Sequence, residues 1–260
     1  VVSGARTGPG DAKVVLVTGA SGGVGRGIAI ACGQAGWTVW IAARREAQAA
    51  EVAAEVDAAG GHGRAVVCDV ADPVSVEEAI ATVIARDGRL DGVVHNATSG
   101  LSPRPTDLAD VAFADVGDHV AVSLRGTYLL AVRAHPHLRA SRGAYVVLTS
   151  EAGFEGKARL PVYAAVKGAQ RGVARSLARE WGPDGIRVNC LAPLASTPAM
   201  EQAFAHDPSM SARVLGRNPS GRLGDAVDDI GPVVRFLLSD DAAYVNGLTL
   251  MADGGACPIT

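Results

Sequence analysis

Long apolar runs are missing from this 260-residue chain. Its longest, such as Val14 to Val17 and Trp37 to Ala43, fall far short of the roughly 20 residues needed to cross a bilayer, so no membrane partner is expected. Cysteine is scarce: Cys32, Cys68, Cys190 and Cys257 are scattered with no Cys-x-x-Cys pair, which leaves no disulfide framework and no zinc spacing. Thiols in a reducing cytoplasm are the simplest reading, and no targeting segment is evident. An excess of one charge is also lacking. The 24 basic residues against 27 acidic give a formal net charge of −3, which offers nothing to nucleic acid or another polyanion. Aromatics make up only 4%. What is present is a 48% hydrophobic, 20% charged composition with 32 glycines, which suits a self-sufficient globular domain and argues against disorder or low complexity.

Val1 to Ala12 contains Gly4, Gly8, Pro9 and Gly10 without any period and reads as a flexible lead-in. From Lys13 onward, short β-branched runs alternate with longer Ala-rich segments. Strands are expected at Val14–Thr18, Thr38–Ala43, Arg64–Cys68, Gly92–His95, Ala144–Thr149, Ile186–Leu191 and Leu248–Met251. Helices are expected near Gly23–Ala35, Arg45–Ala59, Pro73–Arg86, Val116–Leu138, Val162–Trp181 and Ala226–Leu238. Strands apolar throughout, separated by helices, are the mark of a parallel sheet covered on both faces. No boundary or repeat divides residues 13–260. The rhythm breaks at Leu194–Leu223, where Pro198, Pro208 and Pro219 are mixed with Met200, Phe204, Met210 and Leu215. That segment reads as a substrate loop or lid, or as a surface insertion with a small core of its own.

The run Val17-Thr18-Gly19-Ala20-Ser21-Gly22-Gly23-Val24-Gly25 passes from a strand through glycines into a helix. Glycine permits the tight turn and the close approach of a pyrophosphate, and the helix start offers it unpaired N–H groups. Gly19, Ser21, Gly23, Val24 and Gly25 are therefore candidate dinucleotide contacts. The second strand ends Ala42-Ala43-Arg44-Arg45. A carboxylate at that tip would grip a free ribose 2′-hydroxyl, whereas Arg44 suits a 2′-phosphate. NADP(H) is thus favoured over NAD(H), unless the two arginines merely open a solvated helix.

Ser150 follows the fifth strand, and Tyr163 and Lys167 stand four residues apart, which places phenol and ammonium on one helical face. Here the chain resembles the short-chain dehydrogenase/reductase family in its short, roughly 250-residue form. The resemblance runs from Lys13 to about Ala256 and rests on an ordered set: the Thr18-Gly19…Gly23…Gly25 turn, Asp69-Val70, Asn96-Ala97, Ser150, Tyr163 and Lys167, Asn189 leading to Pro193, and Asp253-Gly254-Gly255. It implies an α/β fold, a single-domain Rossmann-like doubly wound parallel sheet of about seven strands with helices on both faces. It also implies hydride transfer between a nicotinamide and a ketone, aldehyde or secondary alcohol.

In that scheme Tyr163 is the general acid/base, Ser150 hydrogen-bonds the substrate oxygen, and Lys167 holds the nicotinamide ribose, with Tyr163 also beside the cofactor. Asp69 and Val70 are adenine contacts, and Asn96, Ala97, Pro193 and Thr197 line the cofactor path. A phenol titrating near ~10 must fall by roughly 3 units to act as a base near neutrality, about 4 kcal/mol. One cation about 4 Å away at an effective dielectric of ~20 supplies that much, which is the expected part of Lys167, helped by the oxidised nicotinamide. The resemblance further implies a homo-oligomer, tetramer or dimer, built on the helices near Val116–Leu138 and Val162–Trp181.

Three departures from the family pattern stand out. His95-Asn96-Ala97-Thr98 replaces Asn-Asn-Ala-Gly; Val122-Ser123-Leu124 puts serine where relatives carry a fourth catalytic residue, Asn, with its water-linked proton relay; and Pro193-Leu194 replaces Pro-Gly. His95 is read as a core histidine at a strand end. His135 and His137 have no metal spacing, and no metal is expected. With Ser123, Thr98 and Leu194 altered, a nucleotide-binding regulatory or interaction protein without turnover stays open as the alternative reading. The substrate skeleton and the direction of reaction are not written in the sequence.

Overall fold

The computed structural model describes residues 12–102 and 104–257, so nearly all of the expected lead-in lies outside the described residues. Seven strands, β1 (Val14–Thr18), β2 (Thr38–Ala43), β3 (His62–Val67), β4 (Gly92–His95), β5 (Ala144–Leu148), β6 (Arg187–Pro193) and β7 (Thr249–Ala252), form one sheet in the order β3-β2-β1-β4-β5-β6-β7. Every neighbouring pair is parallel. The expected α/β class and strand count hold.

The inner strands are mostly apolar because successive side chains enter two different cores. Leu16, Trp40, Val93, Tyr145 and Val188 point to one face of the sheet. Val17, Ile41, Val94, Val146 and Leu191 point to the other. The first face is covered by helices α3 (Pro73–Asp87), α5 (Gly126–Ser141) and α7 (Pro161–Trp181). The second is covered by α1 (Gly23–Gly33), α2 (Glu46–Ala58) and α10 (Gly231–Leu238). With a period of two, one strand serves both interiors at once. The four cysteines are buried free thiols.

The helices start where the chemistry allows. Asp72 caps α3 by accepting from the Val74 N–H, with Pro73 in the first turn, where its missing N–H costs nothing. The helix expected near Val116–Leu138 is longer and composite: α4 (Phe113–His119), a π-helical turn at Val120–Arg125, then α5. The proline-punctuated stretch also folds into helices rather than staying a loop, namely α8 (Pro198–His206) and α9 (Pro208–Gly216), with Asp207 capping α9. A parallel bridge between Ala195 and Gly224 ties the ends of this excursion together. A four-residue helix, α6 (Ala152–Glu155), follows β5. No helix among the described residues is long and apolar enough to cross a membrane.

β1 and β4 are adjacent, and the chain leaves them toward opposite edges of the sheet. In such sheets the crevice at the carboxyl ends of the strands beside this switch point is where ligands bind. The glycine turn, Asn96 and Ser150 all stand at that end.

Candidate active site

The glycine turn is fixed by β4 and β2. The Gly19 N–H donates to the Ala42 carbonyl at 2.8 Å. Asn96 donates through Nδ2 to the carbonyls of Thr18 (3.1 Å) and Gly19 (3.0 Å). Gly19, at φ 64°, and Gly25 are required for close packing: a Cβ on Gly19 would stand 2.7 Å from the Ala97 Cα, and one on Gly25 2.5 Å from the Asn96 amide nitrogen. Asn96 and Ala97 are thus the floor under the turn. Gly22 differs, because a Cβ there meets nothing within 4 Å, and one on Gly23 meets only Thr197, at 3.8 Å. These two face an open cradle with Thr197 on its rim. α1 starts at this cradle with no side-chain cap and no acidic residue in its first turn. Free N–H groups, an uncompensated positive helix end and glycines without side chains fit a pyrophosphate.

Arg44 is exposed just past β2, and no carboxylate among the described residues pairs with it. Asp69 is half-buried and accepts the Ala71 N–H, while Val70 is buried against Gly126. Pro193 closes β6, and the Leu194 N–H is occupied by the Ala252 carbonyl.

Ser150, Tyr163 and Lys167 come together at the ends of β5 and α7. The Ser150 hydroxyl lies near enough to the Tyr163 phenol to act on its titration. Lys167 is buried, its Nζ lying 5.8 Å from the centroid of the Tyr163 ring. The electrostatics differ from the sequence expectation. Lys167 Nζ donates to the Leu148 carbonyl at 2.8 Å, and burial lowers the ammonium to about 8. Burial lifts Tyr163 to about 12, the Ser150 hydroxyl working against that and the charge of Glu151 adding to it. The phenol is therefore a firmly protonated acid. Lys167, its Nζ 5.8 Å from the ring centroid, is not among the influences on the phenol.

Ser123 sits in the π turn with its side chain fully buried and its Oγ without a hydrogen-bond partner. Its carbonyl, which also meets the Gly126 N–H, receives three side-chain donors: Thr127 Oγ1 at 2.7 Å, Gln170 Nε2 at 3.0 Å and His95 Nε2 at 3.2 Å. His95 is fully buried and lowered to about 4, chiefly by desolvation and then by the charge of Lys167. Its ring is therefore neutral. Since a carbonyl only accepts, Nε2 bears the proton, and Nδ1 accepts from Thr18 Oγ1 at 3.1 Å. The Thr18 lone pairs in turn receive the N–H groups of Asn96 and Ala97. The core-histidine reading holds, and the two departures at His95 and Ser123 touch each other.

Sequence reasoning did not single out several neighbours of this site. Glu151 accepts the Ser150 hydroxyl at 2.7 Å and pairs with Lys157. His119 lies edge-on to the Tyr163 ring with centroids 6.5 Å apart, and burial lowers it. Its position one helical turn before Ser123 was the available signal. Gln170, one turn beyond Lys167 on α7, gave a similar one. A cleft beside Tyr163 is lined by Leu101, Val111, His119, Leu160 and Val162, with Arg104, Asp115 and Arg159 at its polar side. It is walled by the segment after β4 and the start of α7, not by α8 or α9.

Comparison with known proteins agrees with this geometry. A family model described as enoyl-(acyl carrier protein) reductase matches residues 19–257. The chain is 34% identical over 247 residues to 2-dehydro-3-deoxy-D-gluconate 5-dehydrogenase of Pseudoalteromonas atlantica, covering 94% of this chain and 96% of that protein. It is 32% identical to 12alpha-hydroxysteroid dehydrogenase of a Clostridium species, covering 94% and 96%. A candidate short-chain alcohol dehydrogenase from Sinorhizobium meliloti superposes with a TM-score of 0.88 at 35% identity, covering 94% and 96%. A short-chain type dehydrogenase/reductase from Mycobacterium ulcerans also superposes at 0.88, with 28% identity. A seven-stranded parallel sheet, a glycine cradle at its switch point and a gathered Ser, Tyr and Lys, together with these matches, place the chain in the short-chain dehydrogenase/reductase family, oxidoreductases that use a nicotinamide dinucleotide.

Proposed function

We propose that this protein transfers a hydride between NADP(H) and a ketone, aldehyde or secondary alcohol, with Tyr163 as the general acid/base. The observation that carries this reading is the gathering of Ser150, Tyr163 and Lys167 from β5 and α7 beside an open glycine cradle. Gly22, Gly23, Ser21, Val24 and the start of α1 hold the pyrophosphate, Thr197 and Pro193 flank the nicotinamide end, and Asp69 and Val70 stand toward the adenine. Arg44, exposed and without a carboxylate partner among the described residues, takes the 2′-phosphate. The dinucleotide supplies the hydride when bound.

Tyr163 gives its proton to the substrate oxygen during reduction. A phenol raised to about 12 is populated as the acid at neutral pH, which favours this direction. In oxidation it must first be lowered by nearby positive charge before it can accept a proton. Ser150 orients the substrate oxygen, and Lys167 keeps the phenol's surroundings positive and grips the ribose. The cleft bounded by Leu101, Val111 and Leu160 receives the organic skeleton, and α8 and α9 form the outer lid. The relatives are named for a dehydro-deoxygluconate and a hydroxysteroid. Chemistry at one carbon–oxygen centre, rather than one skeleton, is therefore the common ground.

A homo-oligomer is part of the same proposal. Val120, Tyr128 and Val132 are exposed along the composite helix, and a second copy would cover them. The deciding measurement follows reduced-nicotinamide absorbance against a panel of sugar-derived, fatty-acyl, polyketide and steroid ketones. Tyr163→Phe should abolish the signal while dinucleotide binding persists. Undiminished turnover in that variant would refute the proton-transfer role.

A further inference from the structure

Arg159 occupies a backbone position that suits glycine. It stands at φ 65°, in the left-handed region where a β-carbon crowds the following carbonyl. The other described residues at positive φ are all glycine except Arg142, which is the left-handed C-cap of α5. Arg159 caps no helix end. It lies in the turn 157–160, closed by the Leu160 N–H on the Lys157 carbonyl at 3.0 Å, and its own carbonyl accepts the Thr106 N–H at 2.7 Å. That second bond joins the segment before α7 to the segment after β4, the two walls of the cleft beside Tyr163. Backbone strain of this kind collects where a side chain has a task at a site.

Arg159 lines that cleft together with Arg104. Its Nε donates to Asp107 at 3.1 Å, in a pair more than half exposed on both sides. This bond steadies the side chain and leaves its two terminal nitrogens unspent. Those nitrogens, and the whole guanidinium of Arg104, have no partner among the described residues. Asp115 is the one acidic residue of the lining. His119 is kept neutral at physiological pH by burial, and its Nδ1 meets Ser102 Oγ at 3.1 Å. The lining thus carries two cations against one carboxylate, with Asp107 outside it and screened by solvent. An excess of one positive charge suits a monoanion better than a doubly charged phosphate, and a planar two-pronged donor matches a carboxylate.

We propose that the cleft takes ketones, or the corresponding secondary alcohols, that carry a carboxylate, and that Arg159 and Arg104 are the residues that select it. The proposal rests on the reading of Tyr163 as the group that exchanges a proton with the substrate oxygen. The carbonyl lies at Tyr163, a short alkyl chain crosses the apolar lining of Leu101, Val111, Leu160 and Val162, and the carboxylate receives charge-assisted hydrogen bonds from the two guanidiniums. The chemistry at the carbonyl is unchanged, hydride and proton adding across the carbon–oxygen double bond while the carboxylate takes no part. A neutral analogue forfeits the guanidinium bonds, and Asp115 repels a second negative charge.

The test sets levulinate and its next two homologues against their methyl esters as substrates of the full-length enzyme with NADPH. The best acid should exceed its ester in kcat/KM by about tenfold or more, chiefly through KM. In Arg159→Gly combined with Arg104→Ala the ratio should fall to within about twofold of unity. Glycine also relieves the backbone, so Arg159→Gly alone should melt at the same temperature or higher while part of the preference is lost. A merely structural arginine predicts the reverse, a lower melting temperature with the ratio intact. That result, or a wild type that uses acid and ester alike, overturns the proposal. The cleft is also read without turnover, by calorimetric titration of hexanoate and hexanamide into the NADP+ complex. Tighter hexanoate binding that disappears in the double variant supports the proposal; equal binding, or tighter binding of hexyl phosphate, overturns it. Neutral ketones reduced by wild type and not by Tyr163→Phe, with no preference for acids, would remove the carboxylate assignment and leave the catalytic reading. Wild-type rates in Tyr163→Phe would remove the catalytic reading, and hexanoate binding would still decide what the cleft holds.

Discussion

His95 makes the fold sensitive to mild acid. Its ring is fully buried, neutral, and bonded on both sides in a way that allows only one tautomer. Protonation would turn Nδ1 into a donor facing the Thr18 hydroxyl, whose lone pairs are already taken by the Asn96 and Ala97 N–H groups. The folded value near 4 lies below the ordinary 6.5, so the unfolded chain binds the extra proton first. The stabilisation is fully present above about 6.5 and is lost as pH falls toward 4. The gap corresponds to roughly 3 kcal/mol, with a slope near 1.4 kcal/mol per pH unit inside the window. Acid should also loosen the floor of the cofactor turn, because Thr18 holds both ends. The assay is urea unfolding followed by tryptophan fluorescence between pH 7.5 and 4.5, for wild type and His95→Asn at one protein concentration. Asparagine does not titrate, so the stability difference between the two should shrink by about 2 to 3 kcal/mol across that range. His119 and Glu151 cancel in the difference, since both proteins carry them. A difference that stays constant with pH would refute the argument.

Gly22→Ala should leave thermal unfolding nearly unchanged, because its Cβ meets nothing within 4 Å, yet weaken dinucleotide binding at least tenfold by calorimetric titration. Gly25→Ala should cost about 2 kcal/mol or more of stability, because its Cβ would press on Asn96 and on the Gly19 carbonyl. Arg44→Ala should raise the Kd for NADPH by tenfold or more and leave that for NADH within about twofold; a wild type that prefers NADH would reverse the 2′-phosphate assignment. Tyr128→Glu combined with Val132→Glu should shift the sedimentation profile to a smaller species, and an unaltered profile would show that another face joins the copies.

Much of the fold was legible because β1, β2, β4 and β5 are buried and almost wholly apolar and bounded by glycine turns or charged helices. β3 was harder to place. It is the sheet edge and half-exposed, so polar His62 and Gly63, which pair with Thr38 and Val39, gave no apolar signal. The prolines near residues 198 and 208 suggested a loop, whereas each opens a helix in the first turn, where proline is at ease. Ser150, Tyr163, Lys167 and the glycines were readable from their spacing along one strand end and one helix face. Glu151 was not. Its meaning lies in hydrogen bonds to Ser150 and Lys157 set at the end of β5, and no local pattern encodes those partners. The direction in which Lys167 Nζ points was hidden for the same reason.

Asn96 staples the glycine turn to β4 through hydrogen bonds to the chain's own carbonyls. A cradle assembled in advance has little disorder to surrender when its guest arrives, so association should proceed as a docking event rather than a folding one. The heat-capacity change on binding should then match the surface the nucleotide itself covers and nothing more. A protein built this way can exchange spent for fresh cofactor without rebuilding its central sheet at each cycle.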